Sequence, residues 1–341
     1  MLTDDAGIDK FYLQLNPRGL IIFTIRGVLY AVPPPVLAVA KQVWKDSIIA
    51  AGWIITITPA METVNCVICG SPDGRPLFQK ASRNGTPFTL VRCPVCGLEY
   101  VSPRPDPEEI SAFYSDSYFT ERTDRGYNNY FSETTRHEIE RVVNLNLRDL
   151  GFFEFEKGLG DEKRVLDIGC AAGYFLSLMN DRGWETTGVD ISPSCVEFAR
   201  GAGLAVYEDD YLEIAFARPF DLITLWASIE HLHYPDRFLE KARSELKPNG
   251  RLFISTCRTG GLNFMRLYGK DWRFYNFPEH LYFFSRPAIK KLLERKGFKI
   301  VQCATYGSGF GKPGSFPRKI ADVMAKRLRL GDMMLIAAER V

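Results

Sequence analysis

The sequence predicts an α/β fold with a small cysteine-rich module in front of it, and three observations carry that expectation. The run Val165–Leu176 passes from an apolar strand through a glycine-bearing turn into a helix. Further apolar runs at Thr187–Asp190, Pro219–Trp226 and Arg251–Cys257 are separated by segments of helical period, the alternation of a parallel sheet with helices on its faces. Ahead of them stand two C-x-x-C-G repeats, Cys66–Gly70 and Cys93–Gly97. With 341 residues, 46% of them hydrophobic and 25% charged, the chain is long enough for one sizeable core plus a small module. A net charge of only +2 makes no general case for nucleic acid.

The strand–turn–helix run is the most informative element. Asp190 ends the next strand 23 positions after Asp167, where a carboxylate can accept both hydroxyls of a ribose, so the layout suits an adenosine ligand. A dinucleotide site takes G-x-G-x-x-G, which seats a pyrophosphate on the helix N-terminus. Here Gly169 and Gly173 bracket Ala171, and Asp167 stands before them. An anion would meet that carboxylate, so a cationic ligand fits better.

On these residues the chain resembles the class I S-adenosylmethionine-dependent methyltransferases, whose first motif reads D-x-G-x-G-x-G and is followed by an acidic strand end. Ala171 replaces the middle glycine. The resemblance implies that Asp167 and the backbone from Gly169 through Cys170 and Ala171 to Gly173 hold the amino-acid end of S-adenosylmethionine. It also implies cofactor-binding positions at Tyr174 and Phe175, at Asp190 and Ile191, at Asp209-Asp210-Tyr211, where an acid meets the adenine amino group, and at Trp226. Ile229-Glu230-His231-Leu232, the helical run to Leu246, Lys247-Pro248-Asn249-Gly250 and the strand after it continue the family order, so the likeness covers roughly residues 160 to 306. The fold it implies is Rossmann-like: a seven-stranded, mostly parallel sheet with a helix over Ser285–Gly297, a sixth strand over Phe298–Tyr306, and a last strand, Met333–Val341, running antiparallel between the fifth and sixth.

Four thiolates in two C-x-x-C-G knuckles separated by 23 residues make a tetrahedral zinc site, with Cys66, Cys69, Cys93 and Cys96 as ligands. Each knuckle puts two sulfurs on one turn, and the glycine after it can take a positive φ. Asn84-Gly85 would turn a hairpin between the knuckles. All four ligands close the coordination sphere, so the metal is expected to be structural. Residues 61 to 105 hold five basic and three acidic side chains, a surplus too small for a phosphate-tracking surface. The other four cysteines, Cys170, Cys195, Cys257 and Cys303, fall beside core elements and read as free thiols of a reducing compartment, with cytoplasm the default.

Methyl transfer needs two reactants held in line and a base for the acceptor proton. His231, just past the fourth strand, is the candidate general base, with the alternative that it caps or packs the following helix. His280 is its rival. The chain resembles most closely the zinc-ribbon methyltransferases related to the ubiquinone-biosynthesis O-methyltransferases. Those enzymes pair the Glu-His step with a further acid to hold a divalent metal; Ala227 occupies the position four before His231, so that site is not carried over. A looser likeness to the sugar C-methyltransferases makes a sugar or polysaccharide precursor a candidate among small-molecule acceptors. The competing class is a ribbon-mediated nucleic-acid or protein-binding module with a non-catalytic methyltransferase-like domain.

The expected organisation is an extension over 1–60, a zinc ribbon over 61–105, a helical linker and lid over 106–158, and the cofactor-binding core over 159–341. The uncharged stretches of the extension, 14 and 15 residues, fall short of a transmembrane span, which takes ~20. An interfacial anchor is one reading, and an extension of little function preceding a working protein that begins near Met61 is the other. Pro103-Arg104-Pro105 reads as a stiff linker, Asp106-Pro107 as a helix start, and Ser132–Leu150 as a second helix. Between the two helices Tyr114, Tyr118, Phe119, Tyr127, Tyr130 and Phe131 either pack the modules together or touch substrate. Residues 317 to 330 form a basic amphipathic helix in which Ile320, Val323, Met324 and Leu328 share a face. It is either a solvated helix or a contact for a phosphate-bearing substrate or an anionic surface.

Overall fold

The structure is a computed structural model that describes residues 61–83, 85–110, 117–120, 129–260, 269–307 and 316–341. Within 1–60 it describes only strand backbone: 14–15, 21–25 and 28–32 in one antiparallel sheet, 47–50 and 53–56 in another. Residues 61–341 form one compact unit, and 1–60 another. Asn84, Tyr114 and Tyr127, and the side chain of Tyr118, lie outside the described residues.

The sheet grows from β6 (Arg164–Ile168), which is buried along its whole length, as a central parallel strand covered on both faces must be. On one side β6 pairs in parallel with β7 (Glu185–Asp190), and β7 with β8 (Val206–Glu208). On the other it pairs with β9 (Phe220–Trp226), and β9 with β10 (Leu246–Thr259). The strand β13 (Met333–Arg340) then lies antiparallel between β10 and β12 (Phe298–Tyr306). The seven strands and the antiparallel place of the last one are those the sequence implied. The fifth is longer than expected because β10 starts at Leu246 and runs on to Thr259.

That extra length extends the sheet. Arg258 and Thr259 pair with Phe284 and Ser285 of β11 (Tyr282–Ser285), and β11 pairs antiparallel with β4 (Glu99–Val101). Beyond β4 come β3 (Pro87–Arg92) and β2 (Arg75–Ala81), the hairpin between the cysteine knuckles, so the full sheet has eleven strands. The cysteine-rich segment therefore shares a core with the rest: Cys66, Ile68, Val91, Cys93, Leu98 and Tyr100 pack in the same apolar cluster as Leu281, Tyr282 and Phe284. The Pro103–Pro105 run is no free linker. Arg104 and Pro105 form β5, paired antiparallel with β1 (Met61–Glu62), and both are buried.

Helices cover the sheet where capping residues start them. Ser132 caps α1 (Glu133–Asp149) by accepting from the Thr135 amide. After α2 (Phe152–Lys157) and α3 (Tyr174–Asp181) comes α4 (Pro193–Gly201), with Ser192 as cap and proline at its first position. The remaining helices are α5 (Pro235–Glu245), α6 (Arg286–Arg295, capped by Ser285) and α7 (Phe316–Arg327). The amphipathic period of α5 and α6 turns Phe238, Leu239 and Ala242, and Ile289, Leu292 and Leu293, onto the sheet.

Candidate active site

Parallel strands that end together leave a crevice at their carboxyl edge. Here β6, β7 and β9 end at Ile168, Asp190 and Trp226, and a cavity of about 450 Å³ opens between the loops that follow, a size typical of small-ligand pockets. Gly169 (φ 76°) turns the chain at the end of β6, and a Cβ there would stand 2.6 Å from the Ser228 hydroxyl, so only glycine fits. Ala171 tolerates a φ of 46°, which aims its amide at Asp190. The carboxylate of Asp190 accepts from the Ala171 amide at 2.7 Å and from the Ser192 amide at 2.9 Å. Both oxygens are thus oriented while each keeps a lone pair for a ligand. Burial raises the Asp190 pKa, and the amides of Ser192, Ala171 and Ile191 oppose that shift.

Of the residues expected to hold the cofactor, Gly169, Ala171, Asp190, Ile191, Asp209, Asp210, Tyr211 and Trp226 line this cavity. Asp210 also caps a short 3₁₀ turn through the Leu212 amide, and the Tyr211 hydroxyl is tied to Glu245. Five do not line it. Cys170 and Phe175 sit in the core beneath, Phe175 edge-on to Trp226 with ring centroids 5.5 Å apart. Gly173 serves packing: a Cβ would meet Leu204 at 2.5 Å. Tyr174 donates its hydroxyl to the Tyr130 carbonyl at 2.9 Å.

Asp167 is the fifth. It is buried within β6 and accepts from the Thr224 hydroxyl at 2.6 Å. Burial pushes its carboxyl up to about 7; the Thr224 hydrogen bond opposes that rise and the neighbouring Asp190 adds to it.

The opposite wall is the loop after β9. His231 stands on it, and His280, from the segment before β11, meets that ring edge to face with centroids 4.5 Å apart. His231 lines the cavity, whereas His280 is buried behind it. A carbonyl can only accept, so the 2.8 Å contact of His231 Nδ1 with the Glu279 carbonyl places a proton on Nδ1. Donor atoms of Glu230, His231 and His280 lie within 4.8 Å of one another, close enough to hold a metal ion together.

The sequence reading missed what holds this loop. Arg104 is buried, and its guanidinium donates to Glu62 at 2.8 Å, to the Tyr282 hydroxyl at 2.8 Å and to the His233 carbonyl at 3.1 Å. His233 donates through Nε2 to the Pro105 carbonyl at 3.0 Å, and burial lowers its pKa. The amides of Leu281 and Tyr282 both donate to the Glu230 carbonyl. The ribbon end and β11 thereby clamp the His231 loop from two sides. Ser192, Ser228, His233, Tyr234 and Phe238 also line the cavity without having been singled out. The Ser-Pro start of α4 and the Glu-His-Leu-His run were the signals available for Ser192 and His233.

From the aromatic segment, Phe119 and Tyr130 line the cavity, Tyr130 stacking on Tyr174 at 5.9 Å, while Phe131 packs on Phe198 at 4.9 Å. In the ribbon the four cysteine sulfurs converge within 4.8 Å. Gly70 and Gly97 both take φ 75°, and their amides close the knuckles onto the carbonyls of Cys66 and Cys93. None of the eight cysteines forms a disulfide, and Cys303 is only half-buried rather than in the core. Among the described residues no helix is long and apolar enough to cross a membrane.

Residues 133–303 match the family described as a methyltransferase domain. The ubiquinone biosynthesis O-methyltransferase of Histophilus somni is 31% identical over 134 residues, covering 35% of this chain and 55% of that protein. The enzyme of the same name from Nitrosococcus oceani is 32% identical over 147 residues, covering 40% and 62%. The chain thus spans about half the length of the curated relatives it matches. Among solved structures, an S-adenosylmethionine-dependent methyltransferase from Archaeoglobus fulgidus aligns with a TM-score of 0.48 at 21% identity, over 66% of this chain and 100% of that one.

Proposed function

This chain belongs to the class I S-adenosylmethionine-dependent methyltransferases, and we propose that it moves the methyl group of that cofactor to a hydroxyl of a small-molecule acceptor bound against the His231 loop. The observation that carries this reading is that the oriented Asp190 carboxylate and the His231 ring line the same cavity. The donor set fits the cofactor: two lone pairs of Asp190 for the ribose hydroxyls, the Asp209–Tyr211 backbone for the adenine edge, and Tyr211 and Phe238 as apolar cover. When bound, the sulfonium supplies an activated methyl group that leaves a neutral thioether behind.

The protein's own residues do the rest. Asp190 and the Gly169–Ala171 turn fix the cofactor's position, and Trp226 and Tyr130 exclude water from the space between the reactants. The His231 ring, lining the cavity, serves as base for the acceptor hydroxyl as the oxygen–carbon bond forms and the carbon–sulfur bond breaks, and the Glu279 carbonyl steadies the imidazolium through Nδ1–H. His280 positions His231 by ring contact. A quinol-like or sugar acceptor carries the required hydroxyl, and the ubiquinone relatives favour the first.

Four convergent thiols with glycine-relieved knuckles suit tetrahedral zinc, for which sulfur ligands stand about 2.3 Å from the metal. With every position taken by sulfur the ion is structural, and it braces β1–β5 and hence the Arg104 clamp. The buried free thiols Cys170, Cys195 and Cys257 suit a reducing compartment such as the cytoplasm.

The test is titration calorimetry with S-adenosylhomocysteine, followed by a screen of hydroxylated acceptors that reads release of the same product. Binding that is lost in Asp190→Ala, together with turnover on at least one acceptor, is expected. Absence of binding to folded protein overturns the reading.

A further inference from the structure

An ordinary surface helix turns its apolar stripe inward and its charges outward. The helix α7 does the reverse. Phe316, Ile320, Val323, Met324 and Leu328 recur at helical spacing along one side, and all five are 47–75% exposed. The side turned to the protein is small and polar instead: Ala325 is the buried residue of the helix, and Arg318 and Asp322 pair half-buried. No other described helix presents so many exposed large apolar side chains.

The cations on and beside that stripe select what can cover it. Among the described residues no acidic side chain pairs with Lys319, Arg327 or Arg329, whereas Lys326 is held by Asp149. A second copy placed on this face by two-fold symmetry would bring like charges together. A bilayer with anionic headgroups satisfies both features, because the apolar side chains enter the acyl boundary while the cations stay among phosphates. The helix is also placed for this. It is inserted between β12 and β13, whose ends Tyr306 and Met333 pair at the carboxyl edge of the sheet, the edge on which the cofactor cavity opens.

We propose that α7 is a membrane-surface anchor that lies in the headgroup region of an anionic phospholipid bilayer through Phe316, Ile320, Val323, Met324 and Leu328, with Lys319, Arg327 and Arg329 contacting lipid phosphates. The inference stands apart from methyl transfer, since it rests on a helix that does not line the cavity.

Flotation of the full chain with phosphatidylcholine vesicles, with and without phosphatidylglycerol, tests it. Strong binding to the anionic vesicles only, weakened by raised salt, is expected. Ile320→Glu combined with Val323→Glu should lower the partition coefficient about tenfold or more. Reversing Lys319 and Arg327 to Glu should lower it roughly fivefold per cation. Because these side chains are exposed, binding of S-adenosylhomocysteine should be unchanged in every variant, which separates loss of docking from loss of folding. The proposal is overturned if wild-type protein does not distinguish the two vesicle types, or if both variants float like wild type. It is equally overturned if the wild type is a dimer in solution that the Ile320/Val323 variant converts to monomer.

Discussion

Replacing Asp167 by Asn tests the electrostatics of the site most directly. The carboxyl is fully enclosed in β6, with the Thr224 hydroxyl as its hydrogen-bond partner and Asp190 nearby, and its pKa is about 7. An unfolded chain would hold it near the usual value of about 3.9. Between those values the folded state keeps a proton that the unfolded state has lost. Stability therefore falls as pH rises through that window and levels off above about 7. Three pKa units at about 1.4 kcal/mol each make the full loss about 4 kcal/mol, roughly a third of it already incurred by about pH 5.

Asp167→Asn keeps the shape and the acceptor for Thr224 but cannot ionise. Its stability advantage over wild type should widen by about 2–3 kcal/mol between about pH 5 and about pH 8, or roughly 5 °C in Tm. Thermal and urea unfolding across that range measure it. A gap that stays constant with pH, or narrows as pH rises, would refute the argument that burial dominates at this position. Binding of a cationic ligand near Asp167 should favour its ionised form, so below about pH 7 binding should release a proton, visible by calorimetry in buffers of different ionisation enthalpy.

Three further outcomes follow from the geometry. His231→Ala should lower kcat by about 10²–10⁴-fold while leaving S-adenosylhomocysteine affinity intact, whereas His280→Ala should weaken turnover less because it acts through His231. Arg104→Met removes the guanidinium that ties Glu62, the Tyr282 hydroxyl and the His233 carbonyl together, leaving only the Tyr282 hydroxyl on that carbonyl, so unfolding measurements should show a loss of about 1–3 kcal/mol; turnover measured well below the melting temperature should fall too, as the His231 loop loosens. Cys69→Ser should abolish stoichiometric zinc by elemental analysis and lower Tm by several degrees, with proteolysis beginning within the β2–β3 hairpin.

The local chemistry of this protein was legible in the residue order. A strand of uniform apolarity, a glycine that must turn it and an acid ending the next strand are short-range features, and Val165–Asp190 folded as that pattern demands. So did the cysteine knuckles, where two ligands and a positive-φ glycine lie within five residues. The lining of the cavity was only partly legible. Cys170, Gly173, Tyr174 and Phe175 belong to the motif in sequence yet do not line the cavity: Cys170 and Phe175 are buried in the core, Gly173 is closed in by Leu204, and Tyr174 is engaged by Tyr130.

Contacts between distant segments were decided by the tertiary structure. That β4 would pair with β11 and make one sheet of ribbon and core depends on Thr259 reaching past the edge of β9. No local period encodes that reach. The meeting of Arg104 with His233, 129 positions apart, and of His231 with His280 likewise arises where separate loops converge at one sheet edge. The amphipathic character of α7 was written in its residues, but a helical period is symmetric between inside and outside. Packing against β12 through its small and polar side is what turned the apolar stripe to the exterior.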